Sequence, residues 1–151
     1  MVKLNRFQKR HAKRHAEEYM SRFLDPLKVE TLDGQIWTTL EDMDYEIGCL
    51  GSKRRVVVPA GTKTDFGSVP RCLWALVSPI GHATRAFVLH DFLYQSQPYP
   101  RQKCDAILAE AMDVLSCQHW YTRIIYLGVR AGGWIAWNAH RRALNALKRP
   151  N

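Results

Sequence analysis

The sequence predicts an α+β fold, a small antiparallel sheet at about residues 35–60 packed on a mainly helical bundle. Three observations carry this. The clusters Ile36-Trp37-Thr38-Thr39 and Val56-Val57-Val58 are rich in β-branched and aromatic residues and read as strands. From Pro70 onward the apolar spacing becomes helical. The short connector Gln95-Ser96-Gln97-Pro98-Tyr99-Pro100 forces its flanking helices to lie antiparallel, giving a hairpin over about residues 82–117.

Taken in order, residues 3–24 read as a helix with a thin apolar stripe (Phe7, Tyr19, Phe23, Leu24) among many Lys and Arg side chains. Asp25-Pro26 ends it, because a residue preceding proline is pushed out of the helical region. This defines a basic N-terminal helical arm over residues 1–26, followed by a single α+β domain over 28–151. Strands are expected over residues 35–45 and 54–59, with Gly48, Gly51 and Ser52 as turn material between them and Pro59-Ala60-Gly61 closing the second. A short helix over 71–77 follows, with Pro70 at its first turn. Helices over 81–95 and 101–117 form the hairpin. A long helix over 120–148, bent near Gly132-Gly133, completes the chain.

At 151 residues the chain fits one domain and can bury a core without covalent staples. Its four cysteines form no C-x-x-C pair, so they read as reduced core thiols rather than disulfides or a zinc site. The N-terminus lacks the apolar segment of a secretory signal, and no run of about 18 uncharged apolar residues supplies a spanning helix. The net charge of +8 is uneven. Residues 1–28 carry eight Lys/Arg against three acids, and residues 120–151 carry six against none. Residues 29–119 carry eight against eleven. The two basic ends, 3–28 and 120–149, suit a polyanion such as nucleic acid or an anionic membrane. They also read as solvated helix faces. In the last helix, aromatic Trp120, Tyr121, Tyr126, Trp134 and Trp137 alternate with arginines, which suits either the closing of the core or a surface laid on a membrane or a protein neighbour.

The chemistry concentrates in the hairpin. The apolar stripe of its first helix contains His90, and that of its second contains Asp105. Both lie equally far from position 97.5, so an antiparallel pair places them at one level, facing each other. Tyr94 and Arg101 are symmetric in the same way, one turn nearer the loop. An Asp on one imidazole nitrogen fixes the tautomer and leaves the other nitrogen basic and aimed outward, the arrangement of an oriented general base. The same pair also serves as a structural pin between helices. Asp91 follows His90 directly and points about 100° around the helix, toward the loop Gly61–Arg71. That loop carries Asp65, Ser68 and Arg71; Asp65 or Ser68 is also suited to capping the helix that follows. Asp65 and Asp91 would make an oxygen site for Ca²⁺ or Mg²⁺. With His90 added, the set would suit Zn²⁺ or Mn²⁺.

The strings VPAGTKTDFGSVPR, HDFLY and RQKCD resemble a family of phage and prophage proteins known as domain of unknown function 1353, over roughly residues 36–135. The resemblance implies a phage origin, with location in the host cytoplasm or the phage particle, and no particular chemistry. His90-Asp91-x-x-Tyr94 followed by Arg101-x-x-x-Asp105 is also similar to the helical core of prokaryotic phospholipases A2, although that family's calcium loop and flanking cysteines are missing. That likeness implies His90 as base, Asp105 as its orienting acid, Asp91 at a Ca²⁺ and Tyr94 as a supporting hydroxyl. Three functions are therefore expected in competition. The first is a small hydrolase, with His90 as base and Asp65 and Asp91 holding one divalent metal or the substrate. The second is a non-enzymatic virion or assembly component whose basic ends dock nucleic acid or other phage proteins. The third is an effector that binds a host protein.

Overall fold

The computed structural model describes residues 22–31, 36–49, 51–65, 81 and 83–148. The bulk of the expected N-terminal helix, the short helix over 71–77, and Ser68 and Arg71 lie outside the described residues.

The strand-forming region builds two three-stranded antiparallel sheets. In the first, β1 (Arg22–Phe23) and β5 (Arg55–Val58) flank β4 (Met43–Glu46). In the second, β2 (Val29–Thr31) and β6 (Lys63–Thr64) flank β3 (Trp37–Thr39). The single strand expected over 35–45 is thus split. Its first part pairs with β2 and β6, and its second pairs Met43 with Val58 and Tyr45 with Val56. Along β5, Val56 and Val58 are buried and Val57 is exposed, the period-two alternation of a sheet with one covered face. The β4–β5 turn uses Gly48 and Gly51 at positive φ, a region costly for other residues. Thr39 joins the sheets: its hydroxyl donates to the Pro59 carbonyl, and its own carbonyl accepts from the Gly61 amide.

The expected helix end at 22–24 is corrected: Arg22 and Phe23 are strand, registered on Glu46 and Tyr45. The Phe23 ring lies 4.7 Å from that of Tyr45, tilted by 51°, and the Arg85 guanidinium lies over the Phe23 ring at 5.9 Å. Those tertiary contacts outweigh a helical preference that one isolated aromatic supports only weakly.

Helix α1 (Thr84–Ser96) is the centre of the molecule. It packs against α2 (Arg101–Val114), α4 (Trp134–Leu147), β5 and β6, which is why it is buried nearly all round rather than along one stripe. Helix α2 also carries α3 (His119–Gly132). The α1–α2 turn places Gln97 in the left-handed region, its amide donating to Leu93, and Pro100 opens α2.

The long last helix is interrupted at Gly133, between α3 and α4. Gly133 keeps right-handed helical angles, its amide donates to Val129, and Trp137 donates back to Gly133. The Arg101 guanidinium donates to the carbonyls of Val129 and Arg130 at 3.1 and 3.2 Å, serving the carbonyls that a helix end presents. No helix among the described residues is long and apolar enough to cross a membrane.

Candidate functional site

Two faces of α1 carry chemistry, and adjacent residues divide them. On the inner face, His90 Nε2 donates to Asp105 Oδ1 at 3.0 Å, with both side chains wholly buried. Tyr94, one turn along, donates its hydroxyl to the same oxygen at 2.6 Å. Oδ2 receives the Arg130 guanidinium of α3 at 2.8 Å, and Arg101 stands 3.6 Å from it. The structure therefore brings together His90, Asp105, Tyr94 and Arg101, and adds Arg130.

Burial pushes the Asp105 carboxyl upward, yet the hydrogen bonds from His90, Tyr94 and Arg130 outweigh it and hold the group below the usual carboxylate range. Burial, and then Asp105 itself, push the Tyr94 hydroxyl well above its ordinary value, so it stays a donor. Burial likewise drives the Cys104 thiol up to about 11, which makes it an inert core residue.

The second imidazole nitrogen departs from expectation. Nδ1 of His90 is buried and makes no hydrogen bond among the described residues, rather than facing solvent. The cause is the central position of α1: sheet and helices close around the face where an amphipathic helix would open to water.

The outer face begins one residue on. Asp91 is only 4% exposed, and the Thr64 hydroxyl of β6 donates to its Oδ2. Asp91 lines a pocket of about 290 Å³ together with Lys63, Thr64, Asp65, Gln95 and His140. Gln95 also donates to the Lys63 carbonyl at 2.8 Å, so α1 and β6 are tied at both ends of this wall. Asp65 and Asp91 therefore both line this pocket, Asp65 from just past β6 and Asp91 from α1.

Among the described residues, no three His, Cys, Asp or Glu side chains form a group suited to holding a metal. Two carboxylates are what Mg²⁺ commonly takes from a protein, with water completing its shell, whereas Zn²⁺ takes three or four protein ligands.

Sequence reasoning missed Arg130 and His140. Arg130 had a visible signal: it is the one charge between Tyr126 and Trp137 in an otherwise apolar segment. His140 had none, because only the docking of α4 on α1 brings it to the pocket.

Residues 37–129, more than half of the chain, match the family described as Protein of unknown function (DUF1353). The matched segment holds Asp65, His90, Asp91, Tyr94, Arg101 and Asp105; Arg130 and His140 lie just beyond it. No curated protein and no solved structure gives a significant match.

Proposed function

Starting from a chain that belongs to the DUF1353 family, we propose a small phage-encoded, metal-dependent hydrolase whose reacting centre is the Asp91 pocket. The observation that carries this reading is Asp91 itself. A nearly buried carboxylate, held by Thr64, shares a pocket with Asp65 and His140. A carboxylate at a pocket wall beside a second carboxylate and an imidazole is the kind of grouping from which hydrolytic sites are built.

In this reading Asp65 and Asp91 would hold one divalent cation, whose chemistry when bound would be to lower the pKa of a water. His140 is placed on the same pocket to take or give a proton, and Lys63 to meet a negatively charged group of the substrate. His90 and Asp105 act one step back. A base must present a nitrogen to the substrate, and the two nitrogens of His90 are committed to Asp105 and to the interior. The pair instead pins α1 to α2 on the face turned away from the pocket. The likeness to phospholipases A2 would require the opposite face of α1 to open.

Hydrolysis of chromogenic carboxylic-ester, phosphodiester and phosphomonoester substrates, with and without Mg²⁺ or Mn²⁺, tests the proposal. Turnover that needs the ion and is lost in Asp91→Asn supports it. Turnover unchanged in that variant contradicts it.

A second reading, a non-enzymatic virion or assembly component, draws on the saturation of Asp105. Its oxygens receive His90, Tyr94 and Arg130, as a purely structural pin would. The basic ends would then dock nucleic acid or other phage proteins.

A further inference from the structure

The last two helices leave large apolar side chains in water. Trp120 is 55% exposed, Leu127 57%, Trp134 54% and Ile135 63%. They are not scattered. The hydrogen bonds Gly133 to Val129 and Trp137 to Gly133 carry the helical ladder from α3 into α4. At about 100° per residue, Leu127, Ala131, Trp134 and Ile135 then fall within roughly 60° of Trp120. The opposite side of the same helices supplies buried Ile125, Val129 and Trp137 to the core. One stripe is thus used by the fold and a second faces outward. Single exposed apolar residues are ordinary, but a contiguous row containing two tryptophans marks a contact surface.

The surrounding charge identifies what the surface meets. Exposed Arg123, Arg142 and Lys148 flank the row, and no Asp or Glu occurs after Asp113. Arg130, the arginine nearest the break, is occupied by Asp105 and does not belong to this fringe. A second copy would bring the same positive helices face to face, and the basic residues 1–28 carry the same sign. Nucleic acid would engage the arginines but has no use for Leu127 and Ile135. A surface that takes apolar side chains to shallow depth, accepts indole rings at its boundary and carries negative charge is an anionic bilayer.

We propose that α3 and α4 form a docking face for an anionic lipid surface, with Trp120, Leu127, Trp134 and Ile135 seated at the headgroup boundary and Arg123, Arg142 and Lys148 on the headgroups. The proposal is independent of the Asp91 pocket.

The test is binding of the full chain to phosphatidylglycerol vesicles, compared with phosphatidylcholine vesicles, followed by sedimentation and tryptophan emission. Binding to the anionic vesicles is expected, with a blue shift, weakening at high salt. The variant Trp120→Ser/Trp134→Ser should keep the wild-type melting temperature, because both rings are exposed, and lose about tenfold or more in vesicle affinity. Three results would overturn the proposal. They are no binding to anionic vesicles, binding undiminished in the double variant, and a dimer or a DNA complex that forms through these tryptophans while vesicles are ignored.

Discussion

Arg130 and Asp105 lie 25 positions apart in the chain and 2.8 Å apart in space, and their contact ties α3 to the α1–α2 hairpin. Asp105 thereby becomes the meeting point of three helices: His90 and Tyr94 from α1 and Arg130 from α3 all converge on it. Removing Arg130 takes a charged donor from a buried carboxylate. Arg130→Leu should cost about 1.5–3 kcal/mol in urea unfolding. In a double-mutant cycle with Asp105→Asn the two losses should be non-additive; additive losses would mean that the contact carries no energy.

His90→Ala should be costlier, about 2–5 kcal/mol, because it empties a wholly buried position in the core as well as removing one of the donors to Asp105. Near-UV circular dichroism and a cooperative urea transition check that the variant still folds. A loss below about 0.5 kcal/mol would remove the pin from the account.

Acid should unfold the protein through this same group. The folded-state pKa of Asp105 is lowered relative to its unfolded value near 3.8. Its contribution is therefore complete above the unfolded value and disappears as the pH falls through the lower folded value. Wild-type stability should drop steeply below about pH 4, and Asp105→Asn should flatten that part of the profile. An unchanged acid limb in the variant would assign acid sensitivity to other carboxylates.

Gly133→Ala decides between two opposed effects. Alanine favours a helix over glycine by about 1 kcal/mol. The added Cβ, however, would sit 2.4 Å from the Val129 carbonyl and 2.6 Å from the Tyr94 hydroxyl. Both distances are below any real contact, and one partner is backbone. The clash should win, destabilising by about 1–3 kcal/mol and dislodging Tyr94 from Asp105. A stabilised variant would show that Tyr94 yields freely.

The meeting of His90 and Asp105 was legible because a short connector fixes the mirror point of a helical hairpin, and symmetry about 97.5 then requires only counting. The placement of Asp91 followed from the same helix, since the next residue must turn away. Arg130 could not be reached in that way. Its partner is set by the packing of α3 on α2, which has no local pattern, although the glycine pair did mark the break at Gly133. The pocket was half legible: Asp65 and Asp91 could be assigned to facing elements, but His140 arrives with α4, whose docking on α1 depends on contacts such as Gln97 to the Trp137 carbonyl. The strand at Arg22–Phe23 was misread because its stability lies in the Tyr45 and Arg85 contacts, not in its own residues.

The central claim is that the pin and the pocket, though carried by adjacent residues, do separate jobs. Urea unfolding of wild type, Asp91→Asn and His90→Ala, each with and without Mg²⁺, tests it most directly. An ion that binds only the folded state adds about 2.7 kcal/mol at a hundred times its dissociation constant. Wild type and His90→Ala should both gain stability from the ion, the latter from a lower starting point. Asp91→Asn should start near wild type and gain nothing. The account is contradicted if Mg²⁺ leaves wild type unmoved, or if Asp91→Asn still responds to it as wild type does.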